Sequence, residues 1–219
     1  HGGLASSRSW GLQVPAIIGA GYEVILVDSR GHGRSTLGEG PLSYDGLADD
    51  LFAIIDALAL RTPHLVGWSD GAITALTAAM RGAGRLGRVF AFGANMTQSS
   101  VRKDADAAPI LAEIGPRLIA DYRDLSPTPD GFDRLRDAVR HMQKAMPDHT
   151  PEQLRAIGDI PVMIAAGASD EFIKADHPAF LADHIPGARL HIFKRTGHFA
   201  PWQKAEAFNR TLLSFLAGR

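Results

Sequence analysis

The chain of 219 residues contains no cysteine. That absence excludes disulfides, thiolate metal sites and a cysteine nucleophile. It fits a reducing compartment, and a cytoplasmic location is the expectation. No apolar stretch reaches the ~18 residues of a spanning helix, so no membrane partner is expected. Excess charge is also missing: 23 Lys and Arg face 24 Asp and Glu, a net charge of −1. With no basic face or charge run, no nucleic-acid partner is expected. Repeats, low-complexity tracts and a His-Glu-x-x-His pattern are absent. His177, His184, His191 and His198 recur every seven residues. They span two helices and the ends of a strand, share no face, and no metal site is expected. The composition that remains is 45% hydrophobic, enough for one domain with a substantial core.

The informative stretch is Leu65-Val66-Gly67-Trp68-Ser69-Asp70-Gly71. A short apolar run feeds a Gly-x-Ser-x-Gly pentapeptide, and the helix formers Ala72 to Met80 follow. Ser69 is therefore expected at a strand-to-helix corner, where flanking glycines remove the Cβ atoms that would clash. The helix N-terminus aims free N–H groups at the same spot. This is the geometry of a nucleophile elbow; the plainer alternative is a glycine-rich turn with a helix-capping serine.

A serine hydroxyl needs a base, and the base needs an orienting acid. Ile160 to Gly167 reads as a buried strand, followed at once by Ala168-Ser169-Asp170-Glu171. A helix over Pro178 to Ile185 and a strand over Arg189 to Phe193 then lead to Gly197-His198. In a parallel sheet, that spacing puts Asp170 and His198 on loops at one edge, with Ser69. Open α/β sheets build sites at the carboxyl ends of their strands. Asp170 is favoured as the acid because it lies three residues past Gly167; Glu171 is the alternative. The chain opens His1-Gly2-Gly3-Leu4, matching a turn that supplies one backbone N–H to an oxyanion, the other coming from the residue after the nucleophile. The expected donors are Gly3 and Asp70.

These motifs, with Asp28-Ser29-Arg30-Gly31-His32-Gly33-Arg34-Ser35 and the closing stretch His198 to Leu216, resemble the α/β-hydrolase superfamily over essentially the whole chain. Gly67 to Gly71 with Ile73-Thr74-Ala75-Leu76, and later Gly93-Ala94-Asn95, is similar to the biphenyl-hydrolase-like (valacyclovir-hydrolase-like) branch and to bacterial esterases. The resemblance implies an α/β-hydrolase fold, a mostly parallel sheet flanked by helices with a small helical cap. It implies a cofactor-free serine hydrolase with Ser69, Asp170 and His198 catalytic, acting with water on a small-molecule ester, as a monomer or homodimer. C–C bond hydrolysis, perhydrolysis and acyl transfer run on the same triad, and a ligand-binding member of the fold is the non-enzymatic alternative. Serine at the elbow argues against dehalogenases and epoxide hydrolases, which place aspartate there. The carboxylate of Asp70 would pair with a substrate ammonium or act as a first-turn acid favoured by the helix dipole.

The family order of strands, 1-2-4-3-5-6-7-8, also implies that the chain starts where a third strand would just have ended. The expectation is a fragment or trimmed chain in which the strands ending at Asp28 and Trp68 lose their shared neighbour. Either those two strands close up, or the chain alone is poorly stable. The remaining pattern predicts helices over Ser9–Ala20, Tyr44–Leu60, Trp202–Leu216 and from Asp70 to about Arg81. It predicts strands over Glu23–Asp28, His64–Trp68 and Arg88–Phe92. Residues 1–94 and 159–219 form the expected core. Residues 95–158 form the expected cap, with helices over Ala107–Tyr122, Pro129–Met146 and Pro151–Ala156. Substrate-lining candidates are Leu4, Asp70, Asn95, Met96, Tyr122, Met142, Phe172 and Phe199, with Phe132, His141 and Met146 also on the cap.

Overall fold

Along Val89-Phe90-Ala91-Phe92, small aliphatic and aromatic side chains alternate. A strand sends successive side chains to opposite faces, so this segment offers one thin face and one thick face. In the computed structural model, which describes residues 1–219, it lies inside a four-stranded parallel sheet. The strands are β1 (Leu65–Trp68), β2 (Val89–Phe92), β3 (Val162–Gly167) and β4 (Arg189–Phe193), in the order β1-β2-β3-β4. Parallel sheets need cover on both faces, and the helices provide it.

The helices are α1 (Val14–Gly19), α2 (Tyr44–Ala57), α3 (Asp70–Gly82), α4 (Ile110–Leu125), α5 (Phe132–Ala145), α6 (Pro151–Arg155), α7 (His177–His184), α8 (Ala200–Gln203) and α9 (Ala205–Leu216). Val89, Ala91, Val162 and Ile164 share an aliphatic core with Ala72, Ile73 and Leu76 of α3 and with Leu181 of α7. Phe90, Phe92, Met163 and Phe193 face the other way, against Trp10 and the α9 residues Phe208, Leu212 and Phe215. Phe208 meets Phe90 and Phe92 edge-on, each at 5.4 Å between ring centroids. Truncating such a fully buried ring costs about 3–5 kcal/mol. No helix is long and apolar enough to cross a membrane.

Three sequence expectations need correction. The helix expected over Ser9–Ala20 is a 3₁₀ turn at Ser7–Trp10 followed by the short α1. Pro15 lacks a backbone N–H and is accepted only in a helix's first turn, so α1 starts beside it. The helix expected over Trp202–Leu216 is broken at Lys204 into α8 and α9. The third correction is larger. Glu23–Asp28 forms no strand, and none of its backbone N–H groups donates within the protein. It does not close up on β1 either. A cleft of about 1000 Å³, walled by Val24, Leu26, Leu51, Ile54 and Val66, lies there instead.

Candidate active site

The corner after β1 is as tight as the glycines require. A Cβ on Gly67 would collide with the carbonyl of Gly71 one turn on, and a Cβ on Gly71 would sit 2.8 Å from the His1 carbonyl oxygen. Ser69 between them has φ 55° and ψ −121°. A non-glycine residue in that region carries about 1–3 kcal/mol of strain, held here by pairing of β1 on one side and α3 on the other. The Gly71 N–H donates to the His1 carbonyl at 3.0 Å, which ties the first residues to the elbow. Gly2 packs on Ser69, and neither the Gly3 nor the Asp70 N–H makes a hydrogen bond within the protein. The two expected oxyanion donors are thus both unengaged: Asp70 follows Ser69 directly, and Gly3 follows Gly2 and lies against the Asp70 side chain.

The β3 and β4 loops meet beside this corner. Asp170 Oδ2 lies 2.8 Å from His198 Nδ1, and both side chains are 5% exposed. Asp170 Oδ1 accepts from the Phe172 and Ile173 N–H groups, both at 2.9 Å. Burial opposes ionisation of Asp170, but attraction to His198 and these hydrogen bonds together hold its carboxyl below the usual range. The imidazole is walled by Phe172 (4.8 Å between centroids), Phe199 (5.8 Å), and Trp68 and Phe92 (6.4 Å each). Trp10 and Trp202 meet Trp68 edge-on at 6.3 and 5.0 Å. No hydrogen bond joins Ser69 Oγ to His198 Nε2. Such contacts are often long before substrate binds.

Glu171, the alternative acid, does something different. Its Oε2 accepts the backbone N–H of His198 at 2.7 Å, and its carboxylate packs where a Cβ of Gly197 would otherwise stand. It holds the histidine loop rather than the imidazole. The sequence reading missed this role, because the contact spans 27 residues and leaves no local pattern.

The carboxylate of Asp70 is buried under α5. Tyr44 Oη donates to Oδ1 at 2.8 Å, and Gln143 Nε2 lies 3.1 and 3.0 Å from Oδ1 and Oδ2. These bonds take up three of about four acceptor positions. Burial raises the Asp70 carboxyl, and the Tyr44 and Gln143 hydrogen bonds offset part of that rise. A substrate ammonium would therefore meet a carboxylate already engaged by the protein. Gln143 and Val139 also close over Gly3. Tyr44, Val139 and Gln143 were not among the sequence candidates.

The lining candidates divide. Leu4, with φ 61°, sits on the N-terminal turn, Phe172 and Phe199 flank His198, and Asn95 lies half-buried past β2. Met96, Tyr122 and Met142 are instead core residues, 0%, 5% and 1% exposed, with Tyr122 set against Phe132. Met142 shares one stripe of α5 with Leu135 and Val139, which leaves His141 exposed on the outer face and Met146 only half-buried. The Met96 N–H is held by His177 Nε2 at 3.0 Å.

With the geometry established, comparison with known proteins is informative. A family model described as alpha/beta hydrolase family matches residues 1–211. A 2-hydroxy-6-oxononadienedioate/2-hydroxy-6-oxononatrienedioate hydrolase of Burkholderia vietnamiensis is 29% identical, over 99% of this chain and 85% of that protein. A 2-hydroxy-6-oxo-6-phenylhexa-2,4-dienoate hydrolase of Burkholderia cepacia is 28% identical, over 99% of this chain and 86% of that protein. Among solved structures, an N-acyl homoserine lactone degrading enzyme, Est816, superposes with a TM-score of 0.80 at 23% identity, covering 98% of this chain and 90% of the other. A carboxylesterase of Bacillus subtilis superposes at 0.72 and 23% identity, covering 100% and 82%.

Proposed function

This chain belongs to the alpha/beta hydrolase family, and we propose that it cleaves a small carboxylic ester through Ser69, His198 and Asp170. The observation that carries the reading is the buried 2.8 Å contact between Asp170 and His198 at the edge where the strained Ser69 stands. Ser69 Oγ attacks the ester carbonyl carbon while His198 Nε2 takes its proton. Asp170 holds the resulting imidazolium. The Gly3 and Asp70 N–H groups receive the charge that develops on the carbonyl oxygen, each donor being worth about 3–4 kcal/mol in the transition state. His198 returns the proton to the leaving alcohol. Water, deprotonated by His198, then attacks the acyl-enzyme and releases the acid and Ser69.

Residues 95–158 act as the cap in this reading, since Val139 and Gln143 of α5 close over Gly3 and Asp70. Phe172, Phe199, Leu4 and Asn95 border the substrate.

Hydrolysis of a C–C bond in a 2-hydroxy-6-oxo-dienoate is the second reading, favoured by the Burkholderia relatives. The Asp70 site weighs against it, because the groups hydrogen-bonded to that carboxyl, Tyr44 and Gln143, are neutral and offer a dienoate carboxylate no ion pair. A neutral ester, or an α-amino ester, has no carboxylate to pair.

The test uses a fluorophosphonate probe read by intact mass on wild type and Ser69→Ala, followed by fluorogenic esters and 2-hydroxy-6-oxo-6-phenylhexa-2,4-dienoate as parallel substrates. One adduct on wild type and none on the variant is expected, with ester turnover dominant. Unchanged turnover in Ser69→Ala would sink the assignment, and preferential loss of the dienoate chromophore would establish the second reading.

A further inference from the structure

The segment Asp28 to Ser35 takes no part in the chemistry above, yet three hydrogen bonds fasten it to the first seven residues. The Ser7 N–H donates to Asp28 Oδ1 at 2.7 Å, the Ser29 N–H to His1 Nε2 at 3.1 Å, and the Leu4 N–H to His32 Nε2 at 3.2 Å. The last contact falls on a strained residue. Leu4 has φ 61°, a left-handed conformation that a leucine keeps only where its surroundings enforce it. His32 is 3% exposed, and its other nitrogen, Nδ1, lies 3.1 Å from the Arg30 carbonyl oxygen. A carbonyl only accepts, so Nδ1 carries the hydrogen and Nε2 is bare. A bare Nε2 is what the Leu4 N–H requires.

We infer that His32 is a positioning residue for the oxyanion turn: by accepting the Leu4 N–H, it holds the Gly3–Leu4 peptide and so fixes the unengaged Gly3 N–H, one residue on from the Gly2 that packs on Ser69. The inference rests on the reading of Gly3 as an oxyanion donor. Released from His32, Leu4 relaxes toward negative φ, and the rotation is absorbed at Gly3, which has no side chain to resist it. The ionisable groups around the ring are the His1 imidazole, 5.0 Å away, the His1 α-amino group and the Asp28 carboxylate at the base of the loop. Burial lowers His32 to about 4, so the ring stays neutral and able to accept near pH 7.

The experiment measures the second-order rate of fluorophosphonate labelling for the full chain as wild type, His32→Phe, His32→Gln and Ser69→Ala, with a thermal melt of each. His32→Phe keeps the bulk and loses the acceptor; His32→Gln keeps an acceptor. Labelling of His32→Phe is expected to slow on the order of 10- to 100-fold, short of the 10²–10³ for outright loss of a donor. His32→Gln is expected to recover most of the rate. A wild-type rate in His32→Phe, or a Gln variant as slow as Phe, overturns the inference, since a purely structural role would follow the melts instead. Should His32→Phe fail to melt cooperatively, the ring ¹⁵N shifts of wild type decide: a protonated Nδ1 and bare Nε2 are expected, and a protonated Nε2 overturns the inference. Failure of the underlying reading looks different, because wild type itself would then go unlabelled or Ser69→Ala would label equally.

Discussion

Glu23-Val24-Ile25-Leu26-Val27-Asp28 and Val162-Met163-Ile164-Ala165-Ala166-Gly167 are both short apolar runs ending in a residue suited to a turn. The first has the stronger β-forming composition. Only the second is a strand. It lies between β2 and β4, with Val162 to Ala165 and Met163 to Gly167 in register with them, and all six of its residues are buried. The first leaves its N–H groups without protein acceptors and exposes Ile25 and Leu26 at 42% and 47%. A strand is therefore a property of a neighbourhood, because each backbone group taken from water needs a partner. Asp170 and His198 hang from the paired region. Asp28 ends the unpaired one, and residues 1–7 are fastened to Asp28, Ser29 and His32 by single hydrogen bonds to side chains rather than by a ladder.

The sharpest way to break this contrast is at Asp170. Asp170→Asn is expected to lower kcat about 10⁴-fold, since the histidine then loses the partner that fixes its tautomer. Steady-state kinetics on the best ester check this, and a drop under tenfold would remove Asp170 from the mechanism. The same change alters the pH dependence of stability. The Asp170 carboxyl is held below its unfolded value, so its stabilisation is complete above the ordinary carboxylate range and fades as pH falls through the folded value. Denaturant melts of the variant should lose that acid limb.

Next in size is the backbone of the paired region. A Cβ on Gly167 would run into the carbonyl of Gly197, so Gly167→Ala is expected to destabilise the chain by about 3 kcal/mol and to displace His198. Chemical denaturation reads the first effect, and a probe-labelling rate the second. The smallest effect belongs to the unpaired segment. Leu26→Ser is expected to stay within about 0.5 kcal/mol of wild type, and the amides of residues 23–28 should exchange with solvent far faster than those of 162–167. Slow exchange over 23–28 would mean that this segment finds a ladder partner in solution.

The same distinction explains what could be read from the sequence. The elbow is a local object, two glycines about a serine between a strand and a helix, and its strand is found at Leu65–Trp68 against an expected His64–Trp68. The strand leading to His198 lies at Arg189–Phe193, as its apolar run suggests. Contacts between distant residues left no such mark. Nothing local says that Gln143 reaches Asp70, or that Glu171 holds the His198 amide 27 residues on. The strand at Glu23–Asp28 fails because its pattern is local while its partner is not. Met142 is a different kind of miss: the spacing of Leu135, Val139 and Met142 marks one packed stripe of α5, and that signal was there to use.

All three tryptophans of the chain, Trp10, Trp68 and Trp202, form one cluster whose central ring, Trp68, faces the imidazole of His198 at 6.4 Å. The molecule thus carries its own optical reporter. Indole emission responds to the polarity and contacts around the ring, so fluorescence followed against ligand reads events at that corner without any label.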